Sequence, residues 1–309
     1  MRITINDLKG RRLPEEMPRQ KRSRIRLSDA LKDHCERQTA RLLEDFRAAF
    51  IGRERDGVHN LRVDIKRLRA YVRLIERITP SFDARASFKP IRRLFRSCSA
   101  LRDIHVQLGF LTGEAATSFP PERLSEWHNE LKDREMKARR LFEAEARKFG
   151  PAALNRLKSR VAGSLEGIPE GMVMARAEQN LQTQLRRMQD LASIDRQSDK
   201  ELHKIRIRSK EARYTLEMVD FGRGRPKERA GLNDKLKSVH QALGRWHDRQ
   251  VAFDRLTDFL QSYSFWPVNH PDEYGAYLNL LRQGKLAALQ DFRFSWKDLV
   301  AYLCPGPPA

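Results

Sequence analysis

One twelve-residue frame occurs twice in this chain, and it limits the architecture more than any other feature. From His59 the sequence reads His-Asn-Leu-Arg-Val-Asp-Ile-Lys-Arg-Leu-Arg-Ala, and from His203 it reads His-Lys-Ile-Arg-Ile-Arg-Ser-Lys-Glu-Ala-Arg-Tyr. The shared pattern is His, a hydrophobic-Arg-hydrophobic triplet one residue on, Lys at the eighth place and Arg at the eleventh. A second pair of strings, Leu101-Arg102-Asp103 and Trp246-His247-Asp248, follows each copy at nearly the same distance. A period close to half of 309 residues points to a duplicated unit, because solenoids repeat every 20 to 50 residues or so.

Between and around these copies, apolar residues recur at i, i+3 and i+4 from about residue 28 to 300, the helical period. Leu, Arg, Ala, Glu and Lys dominate, a helix-forming composition. Strand-like alternation appears only briefly, near Ile3 and Ile25. Gly and Pro mark the breaks at Ile51-Gly52, Thr79-Pro80, Phe119-Pro120-Pro121, Phe149-Gly150-Pro151, Gly167 to Gly171 and Phe221 to Pro226. The expected fold is therefore all-α, with two similar antiparallel bundles of about four helices each. Residues 28–165 and 173–303 form the two bundles, 1–27 a basic N-terminal extension and 304–309 a Pro-rich tail. The extension, with Arg11-Arg12 and Arg19-Gln20-Lys21-Arg22-Ser23-Arg24, reads either as a disordered arm or as a cap on the bundle.

Placed on a helix at 100° per residue, Leu61, Ile65, Leu68, Val72 and Ile75 fall within an arc of about 80°. His59, Arg62, Lys66, Arg69 and Arg73 share a second arc beside it. In the other copy Leu202, Ile205, Ala212, Leu216 and Val219 make the apolar stripe, and His203, Arg206, Lys210 and Arg213 the basic one. A basic stripe next to an apolar one sits at the margin of a bundle, by the groove between helices. One cation per turn of about 5.4 Å suits a long anion with regular charges, and the Arg fork suits phosphate. An isolated stripe of this kind is usually a solvated face; recurrence in the same register argues against that here. The net charge of +20 independently favours an anionic partner.

Several classes drop out. Charged residues make up 33%, above the roughly 25% of an average domain, yet 40% are hydrophobic, enough for a core rather than a disordered polyelectrolyte. No apolar run approaches the roughly 20 residues of a spanning helix, so no membrane role is expected. The first residues lack the apolar stretch of a secretory signal. Cys35, Cys98 and Cys304 make neither a disulfide framework nor a metal knuckle, which fits a cytoplasmic protein. His240 and His247, seven apart, share a helix face, but no acidic partner pattern accompanies them, and no metal is expected. Asp103 and Asp248 read as structural partners that hold a stripe arginine. With no Walker loop, paired carboxylates or HExxH string, neither catalytic residues nor a cofactor are expected, and the chain reads as a non-enzyme. Trp127, Trp246, Trp266 and Trp296 do not interleave with the basic stripe, so base stacking on single strands is disfavoured. Nucleic acid bound through its backbone charge stays open as the rival partner.

The segments from His59 to Ala70 and from Leu202 to Tyr214 resemble the two signature helices of CHAD domains, the conserved-histidine alpha-helical domains, and Leu243-Gly244-Arg245-Trp246-His247-Asp248 resembles a later element of the same family. The likeness covers residues 28–303 or so. It implies two pseudo-symmetric four-helix bundles that bind inorganic polyphosphate in a basic central cleft, and an association with polyphosphate granules, as some members show. By the same resemblance the phosphate contacts would be His59, Arg62, Lys66 and Arg69 together with His203, Arg206, Lys210 and Arg213, and the first-helix basics Arg37, Arg41, Arg186 and Arg187 would add to them. Two departures stand out: Cys98-Ser99 occupy the place of the family's Leu-Gly in the first half, and His105 that of an acidic residue. Some members are fused to a triphosphatase with a Glu-x-Glu-x-Lys strand; the nearest string here, Glu143-Ala144-Glu145-Ala146-Arg147, lies in helix-forming sequence.

Overall fold

In the computed structural model the described residues are 26–113, 121–192, 198–219, 227–262 and 269–304. Among them all regular structure is helical. The order is α1 (Leu27–Phe50), α2 (Arg55–Ile78), α3 (Ala84–Thr112), a 3-10 turn (Pro121–Leu124), α4 (Ser125–Lys148), α5 (Pro151–Leu165), α6 (Glu170–Ala192), α7 (Asp199–Val219), α8 (Lys227–Ser262) and α9 (Pro271–Leu303). The expected all-α class holds. The strand-like patches near Ile3 and Ile25, residues 1–25 of the basic extension, the break at 221–226, Trp266 and residues 305–309 of the tail lie outside the described residues, while Leu27 already opens α1.

Local chemistry sets the helix ends. Before α7, Ser198 and Glu201 form a capping box: Ser198 Oγ accepts from the Glu201 amide at 3.3 Å, and Glu201 Oε2 accepts from the Ser198 amide at 2.7 Å. Asp83 caps α3 by accepting from the Ala86 amide at 2.8 Å, while Glu76 accepts from the Ala84 amide at 3.1 Å. Between α1 and α2 the chain turns through Arg53 at φ 54°, and Gly57 is obligatory. A Cβ there would lie 2.6 Å from the Ala49 backbone nitrogen, so the two helices can approach this closely only at a glycine.

Long-range caps tie α6 to the first helices. Glu170 accepts from the Leu27 amide and, at 2.9 Å, from Ser28 Oγ at the start of α1. Arg176 donates to the Ile78 carbonyl at 2.7 Å, at the last turn of α2.

Both apolar stripes are buried: Leu61, Ile65 and Leu68 are 0% exposed, and so are Ile205, Ala212 and Leu216. Each large side chain buried this way contributes about 1.5–3 kcal/mol. Like-charge pairs on an exposed helix face cost only a few tenths of a kcal/mol each; the half-buried lysines of the stripe cost more, and the buried apolar face offsets them.

Among the described residues the buried side chains gather in three clusters. The first draws on α1, α2, most of α3, the end of α4, α5, Val173 and Ala177 of α6, and Tyr214, Met218 and Val219 of α7. The second joins Leu181 and Met188 of α6, the rest of α7, the first half of α8 and the second half of α9. The third packs Leu108 and Leu111 of α3 and Trp127 and Leu131 of α4 against Leu256 and Phe259 of α8 and Tyr274 and Tyr277 of α9.

Candidate anion-binding trough

The two repeat helices, α2 and α7, line one cavity of about 570 Å³. Arg62, Lys66, Arg69 and Arg73 enter it from α2, and Arg206 and Lys210 from α7. Six of the positions expected from the basic stripes are thus brought together. Sequence reasoning missed Lys204, Arg208, Glu211 and Tyr214, which also line it. Glu211 stands 144 residues after Arg67, so at this place the two copies carry opposite charge.

The other expected positions do not line it. His59 is exposed and neighbours Arg102, Arg62 and Lys66. The His203 ring lies 5.8 Å from that of His247. Both histidines sit one turn inside their helices, so neither is the capping residue. Arg213 stacks its guanidinium over Tyr214, 4.8 Å from the ring centroid, and lies 3.7 Å from Glu217. Arg37 and Arg41 are exposed on α1 and Arg186 on α6, with Arg187 half-buried; none of the four lines the cavity. Among the described residues no group of His, Cys, Asp and Glu is arranged to hold a metal ion.

Neighbouring helices hold the arginines from behind. Arg62 donates through Nε to Ser99 Oγ at 3.2 Å, and its Nη2 lies 3.5 Å from Asp103 Oδ1. Cys98 points inward and donates to the Val58 carbonyl at 3.3 Å. The Cys98-Ser99 departure therefore has a use: its thiol packs and its hydroxyl orients a stripe arginine. In the other half the equivalent of Ser99 is Gly244, where an added Cβ would meet nothing within 4 Å. No close helix contact demands that glycine. Arg206, the equivalent of Arg62, has a buried Nε with no hydrogen-bond partner among the described residues, and Asp248 and then Asp103 are the carboxylates that act on it.

The electrostatics are those of a site short of negative charge. Lys66 is pushed down to about 7, first by burial and then by Arg62 and Arg206, against the pull of Asp103 and Asp248. Lys210 is pushed down to about 6 by burial, Lys66, Arg206, Arg62 and Arg213. Burial and the charges of Arg213, Arg206, Lys210 and Lys66 hold His240 of α8 at about 3. His247 is held at about 4 by burial, Arg206 and His203. Each group is depressed by cations from the other helix, so α2, α7 and α8 share one positive field.

Glu211 counters part of it. It bridges the trough, taking a hydrogen bond from Arg73 of α2 at 2.6 Å and one from Arg208 at 3.1 Å. His105, the other departure, is buried on α3 with Nε2 3.1 Å from Glu135 of α4, away from the trough. Glu143 is tied to Arg53 at 3.2 Å on α4, on a helix rather than a strand.

No helix among the described residues is long and apolar enough to cross a membrane. A search of curated proteins finds no match. Among solved structures the chain is similar to the CHAD domain from the plant Ricinus communis, at 19% identity and TM-score 0.66, over 91% of this chain and 92% of that one. It is also similar to PptA from Streptomyces chartreusis, at 15% identity and TM-score 0.61, over 87% of this chain and 99% of that one. The CHAD domain family model matches residues 33–257. With the paired basic helices, the shared trough and a match over most of its length, the chain is a member of the CHAD-domain family.

Proposed function

We propose that this protein binds inorganic polyphosphate in the trough between α2 and α7, without catalysing a reaction on it. The observation that carries the reading is the meeting of both repeat copies on one cavity: Arg62, Lys66, Arg69 and Arg73 face Arg206 and Lys210. Two half-buried lysines whose ammonium charge is disfavoured in the free protein are best explained by an anion that restores it. A flexible chain with one negative charge per unit can meet all six cations, which a single phosphate cannot. Arginine forks then take two oxygens each and lysines act as point charges, with counterion release on entry. His59, His203 and Arg213, which do not line the cavity, would be further contacts for ligand that extends past it, as would Arg37, Arg41, Arg186 and Arg187. The repeat marks residues 28–165 and 173–303 as the two units that each present one wall. A protein working this way would sit in the cytoplasm, where polyphosphate granules are its natural place.

Nucleic acid remains the second reading, since any polyanion feels the same field. Competition separates them: at equal phosphate concentration, long-chain polyphosphate should displace a bound oligonucleotide and the oligonucleotide should fail to displace polyphosphate. Replacing Arg62, Lys66, Arg206 and Lys210 by Glu should abolish polyphosphate binding while leaving the helical circular dichroism intact. Wild-type affinity in that variant places the site elsewhere.

A further inference from the structure

We propose that the anion track continues beyond the trough into a second basic cavity between α2 and α3, so that one long polyphosphate chain occupies both. This rests on the polyphosphate reading and extends it to a segment that the repeat does not mark.

The second cavity measures about 580 Å³, and Arg69, Arg73, Arg85, Arg92, Arg96 and Glu76 stand around it. Its floor is apolar, with Val72 and Phe88, a surface that arginine stems cover readily. Arg69, Arg73 and Phe95 belong to both cavities. The two therefore meet at a common wall, and a ligand leaving the trough past Arg69 and Arg73 enters the second cavity directly.

The charge here is as unbalanced as in the trough. Glu76 is the acidic residue of the lining, and its carboxylate is engaged by the Ala84 amide at the start of α3. Arg73 reaches the other way, to Glu211. Among the described residues Arg92 donates to a neutral acceptor, the Arg85 carbonyl at 3.3 Å. Arg69 is held below its ordinary range by burial, by Arg73 and by Arg92, with Glu211 pulling the opposite way. Guanidinium groups from two helices thus crowd one hollow whose carboxylate, Glu76, is engaged by the start of α3, and a row of phosphates supplies the missing charge.

The geometry also dictates a dependence on ligand length. Arg85, Arg92 and Arg96 lie on the first half of α3, two turns and then one turn apart along its surface. A short anion fills the trough and never reaches them. A long one gains three more guanidinium contacts.

The test compares tripolyphosphate with long-chain polyphosphate by titration calorimetry over a salt series, using wild type and the triple variant Arg85→Gln/Arg92→Gln/Arg96→Gln. These are surface or half-buried side chains, and circular dichroism checks that the helices persist. Tripolyphosphate affinity should stay within about twofold, since its contacts are untouched. Long-chain affinity should fall about tenfold, as expected for three partly exposed ion contacts. The logarithmic salt slope for the long chain should become shallower by about two. Unchanged long-chain affinity and slope in the triple variant would remove this proposal alone, and so would an equal loss for both ligands. If wild type bound neither ligand, or if Lys66→Gln/Lys210→Gln bound both as wild type does, the trough reading would go and this one with it.

Discussion

Acidification should strengthen polyphosphate binding, and the lysines rather than the histidines should be responsible. Lys66 and Lys210 titrate in the free protein at about 7 and about 6. The groups that face them are Arg62 on α2, Arg206 and Arg213 on α7, Asp103 on α3, and Asp248 and His240 on α8. A bound polyanion favours the ammonium form, so the pKa of each lysine rises on binding and a proton is taken up wherever the free group was neutral. The sign follows: affinity is highest below the free-protein values and falls as pH climbs through and above them. With both lysines returned near their ordinary value of about 10.4, the step from pH 6 to pH 8 costs roughly tenfold at Lys66 and roughly fiftyfold at Lys210. The product is several hundredfold, an upper limit reached if the ligand restores both charges fully. His240 and His247 are already held near 3 and 4. Returned to the ordinary histidine value of about 6.5, they would add only about fourfold each over this window, less than either lysine. The assay is the dissociation constant of long-chain polyphosphate, whose interior groups stay ionised throughout, at fixed ionic strength from pH 6 to 8. Lys66→Arg/Lys210→Arg keeps both charges but cannot lose them, so its profile should be nearly flat and it should bind tighter than wild type at pH 8. A full wild-type slope surviving in that variant would falsify the lysine assignment; a flat wild-type profile would show that the trough does not desolvate these groups.

Three further outcomes follow from particular contacts. Glu211→Gln removes the carboxylate that engages Arg73 and Arg208 and should tighten polyphosphate binding about three- to tenfold at low salt; unaltered affinity with a lower Tm would make Glu211 a clasp and nothing more. Ser99→Ala should leave Arg62 Nε without its acceptor and weaken binding by about 1 kcal/mol; an unchanged dissociation constant would show that the hydroxyl does not hold the guanidinium. A lysine whose folded pKa lies below its unfolded value costs stability at every pH under the unfolded value, in full once pH drops below the folded one. Polyphosphate should therefore raise the Tm more at pH 6 than at pH 9, and Lys66→Met/Lys210→Met should melt higher than wild type without ligand; a lower melting point in that double variant, measured by calorimetry, would argue that the two ammonium groups support the fold.

The helical frame and the faces of the repeat helices were legible in the sequence because both are local. Spacing alone puts Leu61, Ile65 and Leu68 on one side, and they are fully buried; the same spacing puts Arg62, Lys66 and Arg69 beside them, at the cavity. What stayed hidden depends on partners from elsewhere in the chain. Nothing near Lys210 in sequence says that Lys66 and Arg62 lie close enough to discharge it. Glu211 looks like an ordinary solvated residue until α2 brings Arg73 to it. The arginines of α3 are interspersed with Phe88, Ile91 and Leu94 and occur in one half only, so no repeat singles them out. In the sequence Ser99 stands only as a departure from the family's Leu-Gly, whereas in the fold its hydroxyl accepts from Arg62 Nε.

The way α6 changes allegiance along its length has a consequence for how the molecule comes apart. Its first turns, with Val173 and Ala177, belong to one apolar cluster, and its later ones, with Leu181 and Met188, to another. Its opening residue also caps α1. Melting either cluster strips α6 of half its support, so a scanning calorimeter should record one heat-absorption peak instead of two. Fragments cut between Leu165 and Glu170 should each be sticky alone yet re-form the whole when mixed.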